Sequence, residues 1–230
     1  MCLAGTAYFN IDQIDAGEWP GIDLIRDSLA QLAFAMQESG QRGTAVDRAW
    51  AEALLGGAGA EPGQIIYLGA SASLLNTQGD QVSFVHQLIQ EYFAASELGQ
   101  RIVAGEDLAR YWPEGWIEPT GWEETVILLA GLQGDMTSLV ECLLPVNPGL
   151  AARCIAESGG PRPAGDIVDK VQQMLTSIAT GPEEPVAVRN AAGDALNHLG
   201  DPRPGVGLEA SGLPDVEWCP VPAGPFTMGS

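Results

Sequence analysis

The sequence predicts a mainly α-helical chain in which a helical module with a small β-hairpin precedes a long apolar helix and a run of helical hairpins, with a short β segment at the C-terminus. Apolar residues recur at helical steps over most of the chain. Between Gln64 and Phe84 the period shortens around a Gln78-Gly79-Asp80 turn. Beyond residue 136, Pro- and Gly-bearing turns divide helical segments of similar size. With 230 residues, 46% of them apolar, the chain can bury a sizeable core.

Residues 1–22 read as an irregular lead-in, punctuated by Gly17, Pro20 and Gly21. From Asp23 the residues Ile25, Leu29, Leu32 and Met36 form one apolar stripe, which predicts a helix stopped by Gly40. A second, short helix is expected from about Thr44 to Leu55, with Val46, Trp50, Ala53 and Leu54 inward, before the break at Gly56-Gly57-Ala58-Gly59. Ile65-Ile66-Tyr67-Leu68 is a short apolar run, followed by Leu74-Leu75, the turn, and then Val82 and Phe84 at strand spacing. Two or three helices followed by a hairpin that leads into a long helix have the pattern of a winged helix, assigned to residues 23–83 with its wing at Gly79.

The long helix is expected from about Phe84 to Ala104, with Val85, Leu88, Ile89, Tyr92, Phe93, Ser96 and Ile102 on one deeply packed face. It places His86 and the Gln90-Glu91 pair within an apolar segment, and buried polar groups need partners. The aromatic stretch Tyr111-Trp112-Pro113-Glu114-Gly115-Trp116 admits two readings, a binding surface or plugs between helices. Trp122 leads a helix carrying Val126, Leu129, Ala130 and Leu132. Thr137–Leu144 then pairs with Gly149–Glu157, and Gly165–Ala179 with Val186–Leu199. The last unit, with its small alanines and its Gly200-Asp201-Pro202 stop, resembles a HEAT-type repeat, and residues 84–200 are read as one HEAT-like helical region. Residues 201–212, rich in Gly and Pro, read as a linker.

Composition removes several classes of function. Thirty acidic residues against ten basic ones leave a net charge of -20, which repels nucleic-acid phosphate and anionic lipid. No apolar run reaches the ~18 residues of a membrane span, and the N-terminus lacks the basic and apolar regions of a secretory signal. Cys2, Cys142, Cys154 and Cys219 show no metal-ligand or disulfide spacing, so reduced thiols in a cytoplasmic protein are expected, with no metal site. The phosphate-binding signature Gly-x-x-x-x-Gly-Lys-Ser/Thr is absent, the sole lysine being Lys170. His86 and His198 lie far apart in sequence, and Ser71 and Ser73 lack nucleophile-elbow glycines. The adjacent pairs Glu123-Glu124 and Glu183-Glu184 suit helix N-termini better than paired acid/base work. No catalytic residue and no cofactor of the chain's own is expected.

Phe84-x-His86 followed by Gln90-Glu91-Tyr92-x-Ala94-Ala95 resembles the segment after the winged helix in NACHT-family NTPases, the signal-transducing ATPases of innate immunity and bacterial conflict systems. The Leu29–Met36 helix and the Gly121-Trp122-Glu123-Glu124-Thr125 helix start look like flanking pieces of that family, so the resemblance spans residues 23 to 135. It implies that His86 approaches the phosphates of ADP bound by an upstream NTPase domain and helps to hold a closed state, while Phe84, Gln90, Glu91 and Tyr92 are motif residues that fix packing or cap backbone. The family often has a hydroxyl residue and an aromatic where this chain has Leu88 and Ile89. Read from the residues alone, His86 is instead a core histidine bonded to a backbone carbonyl. Residues 213–230, with Pro222-Ala223-Gly224-Pro225-Phe226-Thr227-Met228-Gly229, are similar to the opening strand of formylglycine-generating-enzyme-like domains. That similarity implies a downstream domain, whose catalytic cysteines do not match Cys219. Three expectations follow: a regulatory relay segment of a NACHT-type switch with ATP or ADP bound elsewhere in its parent, a helical scaffold binding a protein partner, or part of a formylglycine-generating-type enzyme.

Overall fold

Helix α1 (Ile22–Glu38) follows the expected stripe: Ile25, Leu29, Leu32 and Met36 are all buried. It ends where Gly40 takes φ +75° and Gln41 N–H donates back to the Met36 carbonyl at 2.8 Å, a turn that satisfies a terminal carbonyl and favours glycine. The computed structural model describes residues 19–41, 43–163, 165–209, 211–216 and 218–225. Most of the lead-in, and the Phe226–Ser230 end of the C-terminal segment, lie outside the described residues.

The next element departs from expectation. Val46–Asp47 form a short strand, β1, and α2 begins only at Arg48, running to Leu55. Because β1 pairs with a later strand through Val46 and Val82, the chain leaves the sheet with Ala51 and Leu55 inward, while Trp50 and Leu54 are 37% and 38% exposed. The apolar run at Ile65 is helical: α3 spans Pro62–Ser71, started by proline at its first position and by the Glu61 carboxylate accepting from Gln64 N–H at 2.8 Å. Strands β2 (Leu75–Gln78) and β3 (Gln81–Phe84) form the expected hairpin around Gly79, whose φ is +58°. The three strands make an antiparallel sheet in the order β1-β3-β2.

Helix α4 (Gln87–Val103) starts three residues later than expected, since Phe84 closes β3 and His86 is the N-cap. Its buried face is also different: Gln90, Glu91, Phe93, Ala94, Ala95, Glu97 and Leu98 are inward. Val85, Leu88 and Tyr92 are 37%, 53% and 43% exposed. Helix α1 packs along α4, and Ala94 and Ala95, both fully buried, share clusters with α1 residues; burying that side sets the rotation of the helix.

A 3₁₀ turn (Leu108–Tyr111) leads to α5 (Glu123–Leu132), α6 (Thr137–Leu143), α7 (Pro148–Glu157), α8 (Gly165–Thr180) and α9 (Val186–Leu199). These agree with the expected helical pairs, and α9 packs on both α7 and α8. Among the described residues the buried apolar side chains fall into two clusters. One is built from α1–α4 and the sheet, and the other from α4–α9 together with Phe34 of α1. The aromatic stretch plugs the second cluster: Tyr111, Trp112 and Trp122 are buried, with the Tyr111 and Trp122 rings 4.5 Å apart. Past α9, residues 213–225 form no strand where they are described; the isolated pairing of Leu208 with Pro214 is the β structure seen there. The residues that would continue an apolar strand, from Phe226, are outside the described part.

Candidate functional site

The Phe84–Ala95 motif is divided by the junction between β3 and α4. Phe84 is buried against Phe93, with ring centroids 5.9 Å apart. Gln90, fully buried, accepts through Oε1 from Gly43 N–H at 2.9 Å, so it caps the loop that follows α1. Its Nε2 has no hydrogen-bond partner among the described residues. Glu91, also buried, accepts from Gln87 Nε2 at 2.8 Å. Tyr92 is half-exposed and meets Phe93 edge-on.

His86 is neither inside the helix nor in the core. It is exposed at the helix start, in extended backbone, and its Nδ1 accepts from Leu88 N–H at 3.1 Å. An imidazole that accepts at Nδ1 carries its proton on Nε2 when neutral, so the outer nitrogen is a donor. A donor beside the positive end of a helix dipole is suited to an anionic oxygen. Val85, Leu88 and Tyr92 set this donor within an exposed apolar stripe.

A second site was not legible in the sequence. A groove of about 720 Å³ lies between the aromatic stretch and helices α5, α7 and α9, lined among others by Trp116, Glu123, Glu124, Arg153, Asp194 and His198. Arg153 is tied to Glu157 one turn later and to Glu124 of α5 at 2.8 Å. His198 Nδ1 lies 3.4 Å from Glu157. Hydrogen bonds donated to Glu157 and then to Glu124 hold the Arg153 pKa above its usual value, so the guanidinium stays charged. Glu123 accepts from Thr120 N–H, Gly121 N–H and Trp112 Nε1–H. Burial would raise its pKa, but these bonds outweigh burial and keep it below the ordinary carboxylate value. The i, i+4 spacing of Arg153 and Glu157 was readable; their meeting with α5 and α9 depends on tertiary packing.

Among the described residues no group of three or more His, Cys, Asp or Glu side chains could hold a metal ion, and no helix is long and apolar enough to cross a membrane. Cys142 and Cys219 are exposed thiols and Cys154 is buried, with burial pushing its pKa up to about 12. Comparison with protein-family models, with curated proteins and with solved structures found no match.

Proposed function

We propose that this chain is a non-catalytic relay segment of a NACHT-type signal-transducing NTPase in the cytoplasm. In this reading residues 23–83 are a winged-helix module, and the HEAT-like helices that follow carry its movement to a downstream domain of the formylglycine-generating-enzyme-like kind. ATP or ADP is bound by an upstream domain of the same parent, and nucleotide state biases a two-state equilibrium. The observation that carries the reading is the position of His86. Its outward Nε2 donor stands at the N-terminus of α4, directly after the sheet, and is accessible to a phosphate presented by another domain. The order helix, strand, two helices, hairpin and long helix supports the same reading.

The test is His86→Leu in the full-length parent. Copurifying ADP should fall and its release should quicken by about fivefold or more, with raised basal output. Unchanged ADP retention would reject the role. The reading as a helical scaffold that binds a protein is favoured by one observation, the groove lined by α5, α7 and α9.

A further inference from the structure

The groove combines an aromatic wall with an excess of negative charge. Glu123, Glu124 and Asp194 line it against one permanent cation, Arg153, which is already engaged by Glu124 and by Glu157. Asp194 projects from α9, is exposed, and has no ion-pair or hydrogen-bond partner among the described residues. Trp116 is held in place: its ring is packed so tightly on the Gly149 backbone that a Cβ there would come within 2.7 Å of it. The ring remains partly exposed to the groove. Carboxylates beside a partly exposed indole are the chemistry that receives a guanidinium or ammonium group, by charge pairing and by attraction to the aromatic ring. The groove opens to solvent and, at about 720 Å³, has the volume to take a short peptide segment.

We propose that this groove is a docking site for an arginine- or lysine-bearing peptide segment of a protein partner, with one cationic side chain received between Trp116 and Asp194. The two residues proposed to receive the cation, Trp116 and Asp194, lie outside both the Phe84–Ala95 motif and the Gly121–Thr125 helix start, so the site is tested separately from the nucleotide-switch reading. A net charge of -20 attracts any polycation weakly, so the decisive comparison is local. A fluorescein-labelled peptide of alternating arginine and glycine is titrated into the whole chain at moderate salt and followed by fluorescence anisotropy. Trp116→Ala and Asp194→Asn should each weaken binding by about tenfold, and Asp194→Arg should abolish it. Asp23→Asn with Asp27→Asn, which removes two charges from an exposed and a partly exposed position on α1, should change affinity less than twofold. Because Asp194 is exposed, its variants test the site even if Trp116→Ala fails to fold. Equal losses from the α1 control and the groove variants, or unaltered binding by Asp194→Arg, would overturn the proposal.

Discussion

Glu123 shows how one side chain can fix a whole connection. Its Oε1 accepts from Trp112 Nε1–H at 3.1 Å and from Thr120 N–H at 2.9 Å, and its Oε2 from Gly121 N–H at 2.8 Å. One carboxylate thus joins the aromatic stretch to the first turn of α5, where its charge also complements the helix dipole. Glu123→Gln keeps one acceptor but turns an amide donor toward the Gly121 N–H. The expected loss is about 1–2 kcal/mol at neutral pH, moderated by partial exposure. The folded pKa of Glu123 is lowered, so the carboxylate's stabilisation is present above the unfolded value near 4.5 and lost as pH falls through the folded value. Urea unfolding of both proteins should therefore show a constant difference from pH 7 to about pH 5 that shrinks as pH falls below about 4.5; a difference that stays constant there too would mean that the ionised carboxylate is not what holds the turn.

Among the elements, close backbone approach is the feature to test. A Cβ on Gly131 of α5 would sit 2.5 Å from the carbonyl oxygen of Ser158, a backbone atom that cannot swing aside. Gly131→Ala should cost about 1–3 kcal/mol. Gly134, two residues past α5, has no atom within 4 Å of its Cβ position and no positive φ, so Gly134→Ala should be neutral or stabilising by up to about 1 kcal/mol. Thermal unfolding of the pair separates the clash at Gly131 from the general effect of adding a methyl group to the chain. Helix α1 was legible from its apolar stripe, and α6–α9 from the glycine- and proline-bearing turns that divide them. Strand β1 was not, since two residues carry no periodicity and its existence depends on pairing with β3. The rotation of α4 was not legible for a related reason. Its bulky Val85, Leu88 and Tyr92 suggested the core, whereas α1 packs against the side bearing Ala94 and Ala95 and draws Gln90 and Glu91 in with it. The junction motif was visible as residues, but whether each pointed in or out was fixed by that contact. The groove was hidden because Trp116, Arg153 and Asp194 belong to three separate segments.

At the scale of the whole molecule the question is whether the two clusters act as one body. Helix α1 bridges them: Leu32 and Met36 belong to the first, while Phe34 belongs to the second and lies under the Arg101 guanidinium at 4.0 Å. Beside it, buried Gln37 donates through Nε2 to the Gly121 carbonyl at 3.0 Å and to Thr125 Oγ1 at 2.7 Å, crossing from α1 to the start of α5. Glu38 adds an exposed ion pair with Arg110, which contributes little on its own. A connection of this kind is what the proposed relay requires, because a relay transmits movement at one end only if the halves are coupled. Gln37→Ala leaves a fully buried Thr125 hydroxyl without its partner and opens a small cavity, at an expected cost of about 2–3 kcal/mol. It should also split the unfolding. With Trp19, Trp50 and Trp218 replaced by phenylalanine, the fluorescence of Trp112, Trp116 and Trp122 reports on the second cluster and far-ultraviolet circular dichroism on all the helices, so their urea transitions coincide when the halves unfold together. The two probes should agree in the unaltered chain and separate in Gln37→Ala; coincident transitions in the variant would show that the apolar contact of α1 with α4 suffices to couple the halves and that the polar link is dispensable.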